Sequence, residues 1–215
     1  MKTLITGTSN GIGKAIAQKF LACGHEVVGI DVLPATAKNP QYTHICADVF
    51  SGDLPDIAGV EILINNAGVQ DSGRDIDVNL KGSMRITEKY ALQEKIQSVL
   101  FIASASARTG AEFPEYAASK GGMVAYMKNV ALRVAKYGAT ANSLSPGGVR
   151  TALNNHVMND PALWKKIMEQ TLLPKWAEPE EIAQWAYFVT VVNRSMTAQD
   201  ILIDNGEQAK SDFIW

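Results

Sequence analysis

Short apolar segments of strand length alternate with amphipathic segments along almost the whole chain. The apolar segments are rich in Val and Ile and lack strict apolar–polar alternation, which is typical of strands buried on both faces. Helical patterns at residues 12–23, 79–94 and 117–136 separate them, and turn formers over residues 32–60 predict short or missing helices there. This alternation predicts an α/β fold, a doubly wound parallel sheet with helices on both faces. The seven predicted strands are residues 4–6, 26–30, 42–46, 61–64, 98–102, 139–144 and 200–203.

Length and charge limit the classes of protein that this chain can belong to. A chain of 215 residues suffices for one core, so we expect a single domain over residues 1–215. The formal net charge of −2 argues against nucleic acid or an anionic membrane as partner. We see no signal peptide and no apolar run near the ~20 residues that span a bilayer, and so expect a cytoplasmic protein. Cys23 and Cys46 fit free thiols, and the three histidines lack the spacing of metal ligands.

A glycine-rich turn follows the first predicted strand and opens the first helix. Gly7, Gly11 and Gly13 have the spacing G-x-x-x-G-x-G. Glycines let the backbone approach a pyrophosphate, and a helix N-terminus adds free N–H groups and the positive end of its dipole. The turn predicts a Rossmann-type dinucleotide site. The spacing differs from the commoner G-x-G-x-x-G, so a plain turn is the alternative.

Two residues near this turn indicate which nicotinamide dinucleotide it takes. Asp31 ends the second predicted strand, where a carboxylate binds the adenine-ribose hydroxyls and repels a 2′-phosphate. Asn10 in the turn is neutral and offers a 2′-phosphate no positive charge. Both favour NAD over NADP. The alternative for Asp31 is a solvated residue at a strand end.

Three further residues have the chemistry of proton and hydride transfer to a carbonyl. Tyr116 and Lys120 are four apart in a helical segment, so they share one face. The ordinary tyrosine pKa near 10 is too high for proton transfer at neutral pH, and a nearby ammonium lowers it. Ser104 follows the fifth predicted strand, where its hydroxyl could bind a substrate oxygen. A purely structural role for the Tyr–Lys pair is the alternative.

In the order of its motifs the sequence resembles the short-chain dehydrogenase/reductase family over nearly its whole length. The motifs are the glycine turn, Asp48-Val49, residues 65–68 (Asn-Asn-Ala-Gly), Asn79, the Ser/Tyr/Lys set, residues 146–151 and residues 179–183. The resemblance implies an NAD(P)-dependent oxidoreductase acting on CH–OH groups or carbonyls. It assigns the cofactor site to Gly7, Ser9, Asn10, Gly11, Ile12, Gly13, Asp31, Asp48, Val49, Asn65, Ala67, Gly68, Tyr116, Lys120, Pro146, Gly147, Val149 and Thr151.

The resemblance also implies a role for each of four catalytic residues. Tyr116 is the general acid/base, and Lys120 binds the nicotinamide ribose and lowers the tyrosine pKa. Ser104 positions the substrate oxygen, and Asn79 holds a water that links Lys120 to solvent. Ser106 is the rival to Ser104, which we prefer because residues 102–104 match the family's strand-end pattern.

The chain departs from the family at three places. The connection between Gly68 and Asn79 lacks roughly ten residues. The interval from Ser104 to Tyr116 is one residue short, and Asn205 replaces a common glycine. No catalytic side chain is lost, but the mouth of the pocket must differ.

Residues 151–175 should form a substrate lid, and other segments should form subunit contacts. The lid is largely apolar, which favours a substrate with apolar surface. We expect His156, a polar residue of this segment, to lie at the protein surface. The resemblance places a dimer interface on the helices that begin near residues 79 and 117, where Gly121, Gly122 and Ala125 permit close packing. With the apolar residues 212–215, these features predict a homodimer or homotetramer with a small-molecule substrate.

Two alternatives to a general alcohol dehydrogenase or ketone reductase stay open. A 3-oxoacyl-thioester (acyl-carrier-protein) reductase would favour NADPH, which Asp31 opposes, and would use basic residues such as Arg108, Lys165 and Lys166 to hold its carrier. A non-catalytic NAD-binding regulator is the alternative from a different class. The complete set of four catalytic residues argues against it.

Overall fold

In the computed structural model, which describes residues 1–111 and 113–210, the chain builds a sheet of seven parallel strands. The sheet order is β3-β2-β1-β4-β5-β6-β7, so the direction of winding reverses between β1 and β4. The predicted doubly wound α/β sheet is confirmed. The strands are β1 Lys2–Thr6, β2 Glu26–Asp31, β3 Tyr42–Cys46, β4 Ile62–Asn65, β5 Ser98–Ile102, β6 Thr140–Pro146 and β7 Asp200–Ile203.

Helices cover both faces of this sheet. On one face α1 packs against α7, and on the other α4 packs against β6 and against a π-helical segment, Ile76–Gly82. A second π-helical segment, Phe188–Val192, extends α7. The α-helices are α1 Gly11–Ala22, α2 Ser83–Tyr90, α3 Ser106–Thr109, α4 Pro114–Val134, α5 Asn155–Met158, α6 Pro161–Met168 and α7 Pro179–Tyr187.

Two hydrophobic layers hold the helices to the sheet. Successive residues of a strand point to opposite faces, so Leu4 joins the layer under α2 and α4 whereas Ile5 joins the layer under α1 and α7. Both side chains are fully buried. The continuous apolar strands of the sequence are therefore strands covered on both sides.

The structure corrects the ends of two predicted helices. The helix expected at residues 79–94 begins earlier, as the π-helix at Ile76, and α2 ends at Tyr90. The helix expected at residues 117–136 is α4, which begins at Pro114 because proline suits the first helical turn. Residues 32–41 and 47–61 form turns and irregular segments, as predicted.

Two further expectations concern contacts between subunits and the absence of a membrane-spanning helix. The small size of Gly122 serves packing within the chain, since a Cβ there would lie 2.8 Å from the Leu80 side chain. The apolar residues 212–215 lie outside the described residues. In the described part of the chain, no helix combines the length and apolar character needed to cross a bilayer.

Candidate active site

The predicted functional residues meet at the carboxyl ends of the parallel strands. Thr6 ends β1, Asp31 ends β2, Asn65 ends β4 and Ile102 ends β5, and parallel pairing brings these ends to one edge. The reversal of winding beside β1 opens a crevice there, which is where open α/β sheets bind ligands.

The glycine turn is shaped by close backbone approach. A Cβ on Gly13 would lie 2.0 Å from the Gly7 carbonyl oxygen and 2.3 Å from Asn66 Nδ2. Asn66 donates from that amide to the carbonyls of Thr6 and Gly7, at 3.0 and 3.1 Å. Gly7 itself has φ of +74°, a left-handed conformation that favours glycine. A side chain at Gly13 would break this turn.

The N-terminus of α1 fits an anionic group. Asn10 precedes the helix in an extended conformation and makes no capping bond with its side chain, and the first turn contains no acidic residue. The first N–H groups of a helix that lacks such a cap bind anions, assisted by the helix dipole. Ile12 lies in this turn, and Thr151 borders it, since a Cβ on Gly11 would meet Thr151 Cγ2 at 3.4 Å. These residues fit a pyrophosphate.

The Asp31 carboxylate is held by two backbone amides. Oδ2 accepts from Ser9 N at 2.8 Å, and Oδ1 accepts from Leu33 N at 2.9 Å. A carboxylate has about four acceptor sites, so each oxygen keeps capacity for a ribose hydroxyl. The structure thus places Asp31 beside the glycine turn, where sequence reasoning expects it.

Tyr116 and Lys120 lie on one side of α4, near its N-terminus. Lys120 Nζ is 5.6 Å from the centroid of the Tyr116 ring and donates a hydrogen bond of 2.8 Å to the Ile102 carbonyl. Lys120 is buried, with 4% of its surface exposed. Burial lowers the pKa of its ammonium to about 8, partly opposed by the charge of Asp75.

Ser104 reaches the same place from the end of β5. Burial raises the pKa of Tyr116, a hydrogen bond with the Ser104 hydroxyl lowers it, and the charge of Asp75 raises it. Ser104 Oγ also accepts from Ser106 N at 3.2 Å, at the start of α3. Ser104 is thus the serine whose hydroxyl influences the pKa of Tyr116, and its role in binding the substrate oxygen stays a prediction. The lowering of the Tyr116 pKa by Lys120 stays a prediction for the complex with a cofactor.

Asn79 is fully buried in the π-helical segment. Its Nδ2 donates to the Val69 carbonyl at 2.9 Å and to Ser119 Oγ at 3.0 Å, and its Oδ1 accepts from Val69 N at 2.7 Å. A Cβ on Gly68 would lie 3.1 Å from that Oδ1 and 3.5 Å from Lys120 Nζ. Asn79 and Lys120 therefore face the same point, and a glycine leaves that point free.

Several of the remaining predicted cofactor residues are held in place by neighbouring groups of the fold. Arg74 forms an ion pair of 2.8 Å with Asp48 and, with burial opposing, lowers the pKa of that carboxyl to about 2. Asn65 is buried and donates to Thr87 Oγ1 at 2.9 Å. Other members make backbone contacts or are buried: Ala67 N donates to Thr6 Oγ1, Gly147 N donates to the Ile203 carbonyl, the Pro146 carbonyl accepts from Ala105 N, and Val49 and Val149 are buried.

Sequence reasoning missed Asp75, whose charge the shortened connection brings close enough to act on Tyr116 and Lys120. Asp75 is 1% exposed and accepts from Asp71 N at 3.0 Å and from Ser72 N at 2.9 Å. Its charge affects the pKa of both Tyr116 and Lys120. The only sequence signal for it was the short connection itself.

Residues 151–175, the predicted lid, include two short α-helices, α5 and α6, and begin at Thr151 beside Gly11. Leucines 153, 163, 172 and 173 are exposed there, between 37% and 59%, and His156 is exposed as predicted. Asn205 has φ of +55°, which explains why glycine is common at that position.

Comparisons with known proteins agree with this geometry. A short-chain dehydrogenase family model, described as enoyl-(acyl carrier protein) reductase, matches residues 56–208. A 3-oxoacyl-[acyl-carrier-protein] reductase of Synechocystis sp. is 27% identical, over 94% of this chain and 95% of that protein. A structure of an Agrobacterium tumefaciens protein with bound NADP has a TM-score of 0.87 and 27% identity, and covers 97% of this chain and 96% of that one.

A fourth comparison concerns the fold alone. A 4-hydroxyisoleucine dehydrogenase mutant, solved with NADH and succinate, has a TM-score of 0.88 at 24% identity and covers 99% of this chain and all of that one. The family match extends over more than half of the chain, and the sheet and the crevice agree with it. The chain therefore belongs to the short-chain dehydrogenase/reductase family of oxidoreductases.

Proposed function

We propose that this oxidoreductase transfers a hydride between NAD(H) and a carbonyl or secondary alcohol. The observation that carries the proposal is the meeting of Ser104, Tyr116 and Lys120 at the strand edge that also holds the glycine turn. A proton donor, an oxygen-binding hydroxyl and a buried ammonium are the groups that carbonyl reduction requires.

Each of these residues has a distinct task in the proposed reaction. When bound, a nicotinamide supplies or receives a hydride at C4 of its ring. In the reductive direction Ser104 holds the carbonyl oxygen, and the Tyr116 hydroxyl gives that oxygen its proton as the new C–H bond forms. Lys120 favours the phenolate that remains, and a water held at Asn79 returns a proton to it. In the oxidative direction the same proton travels the opposite way.

The proposed cofactor is NAD rather than NADP. Asp31 places a negative charge beside Ser9 and the glycine turn, where a 2′-phosphate would be repelled. Relatives include a protein solved with NADP and one solved with NADH, so this family accepts both. The preference in this chain therefore depends on its own carboxylate.

Titration of the cofactor-free protein with NADH and NADPH tests both parts of the proposal. We expect tighter binding of NADH by nicotinamide fluorescence, and loss of that preference in Asp31→Ala. Equal binding in the wild-type protein would refute the NAD assignment. Binding of neither cofactor would refute the proposed hydride transfer. Binding of NADH without turnover of any tested alcohol or ketone would favour a non-catalytic regulator.

A 3-oxoacyl-thioester reductase is a second candidate, which the name of the Synechocystis relative favours. Lys165 and Lys166 are exposed on α6 and available to an acidic carrier. Arg108 is engaged, since its Nε bonds Asp200 Oδ2 at 2.9 Å. Turnover of a 3-oxoacyl thioester that is lost in a Lys165/Lys166 double alanine variant would support this candidate over a simple ketone reductase.

A further inference from the structure

A closed ring of hydrogen bonds joins the glycine turn to the loop that follows β2. Thr8 Oγ1 lies 2.8 Å from Tyr42 Oη, and Tyr42 Oη lies 2.9 Å from His44 Nδ1. His44 Nε2 lies 2.9 Å from the Leu33 carbonyl oxygen. The single proton of the Ser9 hydroxyl is shared between that oxygen, at 3.2 Å, and the Pro34 carbonyl oxygen, at 2.9 Å. Because Thr8 and Ser9 are neighbours in the chain, the ring closes.

The chemistry of the ring fixes the position of each proton. A carbonyl oxygen only accepts, so His44 Nε2 carries a hydrogen, and in an uncharged imidazole Nδ1 is then an acceptor. Tyr42 therefore donates to His44, and Thr8 donates to Tyr42. The donors thus run from Thr8 through Tyr42 and His44 to the Leu33 carbonyl, where the Ser9 hydroxyl also donates, and loss of any member breaks the ring.

A glycine inside β2 provides independent support for the ring. Glycine in a strand interior weakens the strand, and it often marks a close approach of other atoms. A Cβ on Gly29 would lie 2.3 Å from Tyr42 Oη and 2.4 Å from Thr8 Oγ1. The missing side chain of Gly29 therefore leaves the space in which the two hydroxyls meet.

The ring surrounds the carboxylate that the proposed function assigns to the ribose. Asp31 accepts from Ser9 N and from Leu33 N, the two positions that the ring ties together. We infer that Tyr42 and His44 are positioning residues, which hold Asp31 in the orientation that receives the adenine-ribose hydroxyls. This inference rests on the proposed use of NAD. It assigns a cofactor-selecting role to two residues of β3, which themselves do not touch Asp31.

Binding measurements on Tyr42→Phe and His44→Ala test the inference. The ligands are NADH, NADPH and reduced nicotinamide mononucleotide, which lacks the adenosine half. We expect the NADH Kd to rise about tenfold in each variant, with a smaller preference over NADPH. The Kd of the mononucleotide should stay unchanged, because only the adenosine end is affected. Thr43→Ala is the control, since Thr43 is exposed on β3 between the two residues.

A second measurement needs no cofactor. Nitrogen NMR of His44 in the free protein should show the tautomer with hydrogen on Nε2, and the opposite tautomer would overturn the ring. An unchanged NADH Kd in both folded variants would overturn the positioning role while leaving the proposed function intact. If the wild-type protein bound no dinucleotide, the proposed function would be overturned, and the positioning role, which depends on it, would be overturned too.

Discussion

At the residue scale, burial of the Lys120 ammonium lowers the stability of the folded protein. The side chain is buried and donates to the Ile102 carbonyl. Burial moves the pKa of the ammonium from 10.5 to about 8, so the folded state disfavours the charge that the proposed chemistry uses. An apolar side chain of similar length would avoid this penalty.

We therefore predict that Lys120→Met is inactive but more stable than the wild type at pH 7, by up to about 3 kcal/mol. The folded pKa lies below the unfolded one, so the wild type binds fewer protons when folded and gains stability between pH 8 and 10.5. The advantage of the variant should then shrink over that window. Urea unfolding at pH 7 and pH 10 measures it. Lys128→Met, at an exposed position of α4, is the control.

The glycine turn gives a second prediction at this scale. Gly13→Ala should abolish dinucleotide binding, because its Cβ would lie 2.0 Å from the Gly7 carbonyl oxygen. Gly24→Ala should keep binding and lose about 1 kcal/mol of stability, since Gly24 has φ of +79° but no heavy atom within 4 Å of the added Cβ. Calorimetric titration and thermal unfolding measure the two effects. Retained binding in Gly13→Ala would contradict this account of the turn.

Sequence alone predicted the site residues that depend on local spacing. Gly13 follows from the turn motif, and the pairing of Tyr116 with Lys120 follows from one turn of helix. Asp75 and Tyr42 were not predicted, because their importance arises from contacts with distant parts of the chain or from a short connection. Such contacts leave no periodic pattern in a single sequence.

At the element scale, side chains of Asp75 and Asn79 hold the shortened connection between Gly68 and Asn79 in place. Asn79 bonds both backbone groups of Val69, and Asp75 accepts from Asp71 N and Ser72 N. A π-helix inserts one residue per turn relative to an α-helix and often marks a functional site. Here it carries Asn79 into the core beside α4.

Asp75→Ala tests this arrangement of the connection. We expect a loss of about 1–3 kcal/mol, because several hydrogen bonds to a buried carboxylate disappear. Amide hydrogen exchange at Asp71 and Ser72 should accelerate. Asp77→Ala is the matched control, since Asp77 forms an i,i+4 ion pair with Lys81 at the surface and should change stability by less than about 0.5 kcal/mol. Equal effects of the two substitutions would refute the special role of Asp75.

Elements were predicted from the sequence more accurately in their cores than at their ends. All seven strands were found because apolar runs and turn residues mark them. The start of α4 at Pro114 was missed because its preceding residue, Phe113, has φ of +39° and no capping side chain. The π-helix was missed because it runs directly into α2, and a short apolar pattern does not distinguish i→i+5 from i→i+4 hydrogen bonding.

At the scale of the whole molecule, exposed apolar residues mark two surfaces at which the predicted homodimer or homotetramer can be tested. Leu132 on α4 is 79% exposed, and α7 with its π-helical extension exposes Trp185, Phe188 and Val192. Exposed apolar surface favours protein contacts where it is contiguous. Leu132 and the exposed residues of α7 lie on separate helices, so the two surfaces can be tested separately.

Light scattering after size exclusion tests the proposed assembly. We expect a homo-oligomer for the wild type and a smaller species for Leu132→Arg, because a charge would be buried in the contact. Trp185→Arg should separate subunits at the other surface. Lys128→Glu, also exposed on α4, is the control for a charge change alone. A monomeric wild-type protein would contradict the proposal.

The sheet order has a consequence for the time course of folding. β1 is the first strand in chain order, yet it lies between β2 and β4, and residues Thr3 and Leu4 pair with Ile62 and Leu63. During synthesis at about 5–20 residues per second, one edge of β1 therefore waits several seconds for its partner. Until β4 emerges, an apolar strand with free N–H and C=O groups is exposed to other chains. The nascent chain should need protection most in that interval, well before Tyr116 has been made.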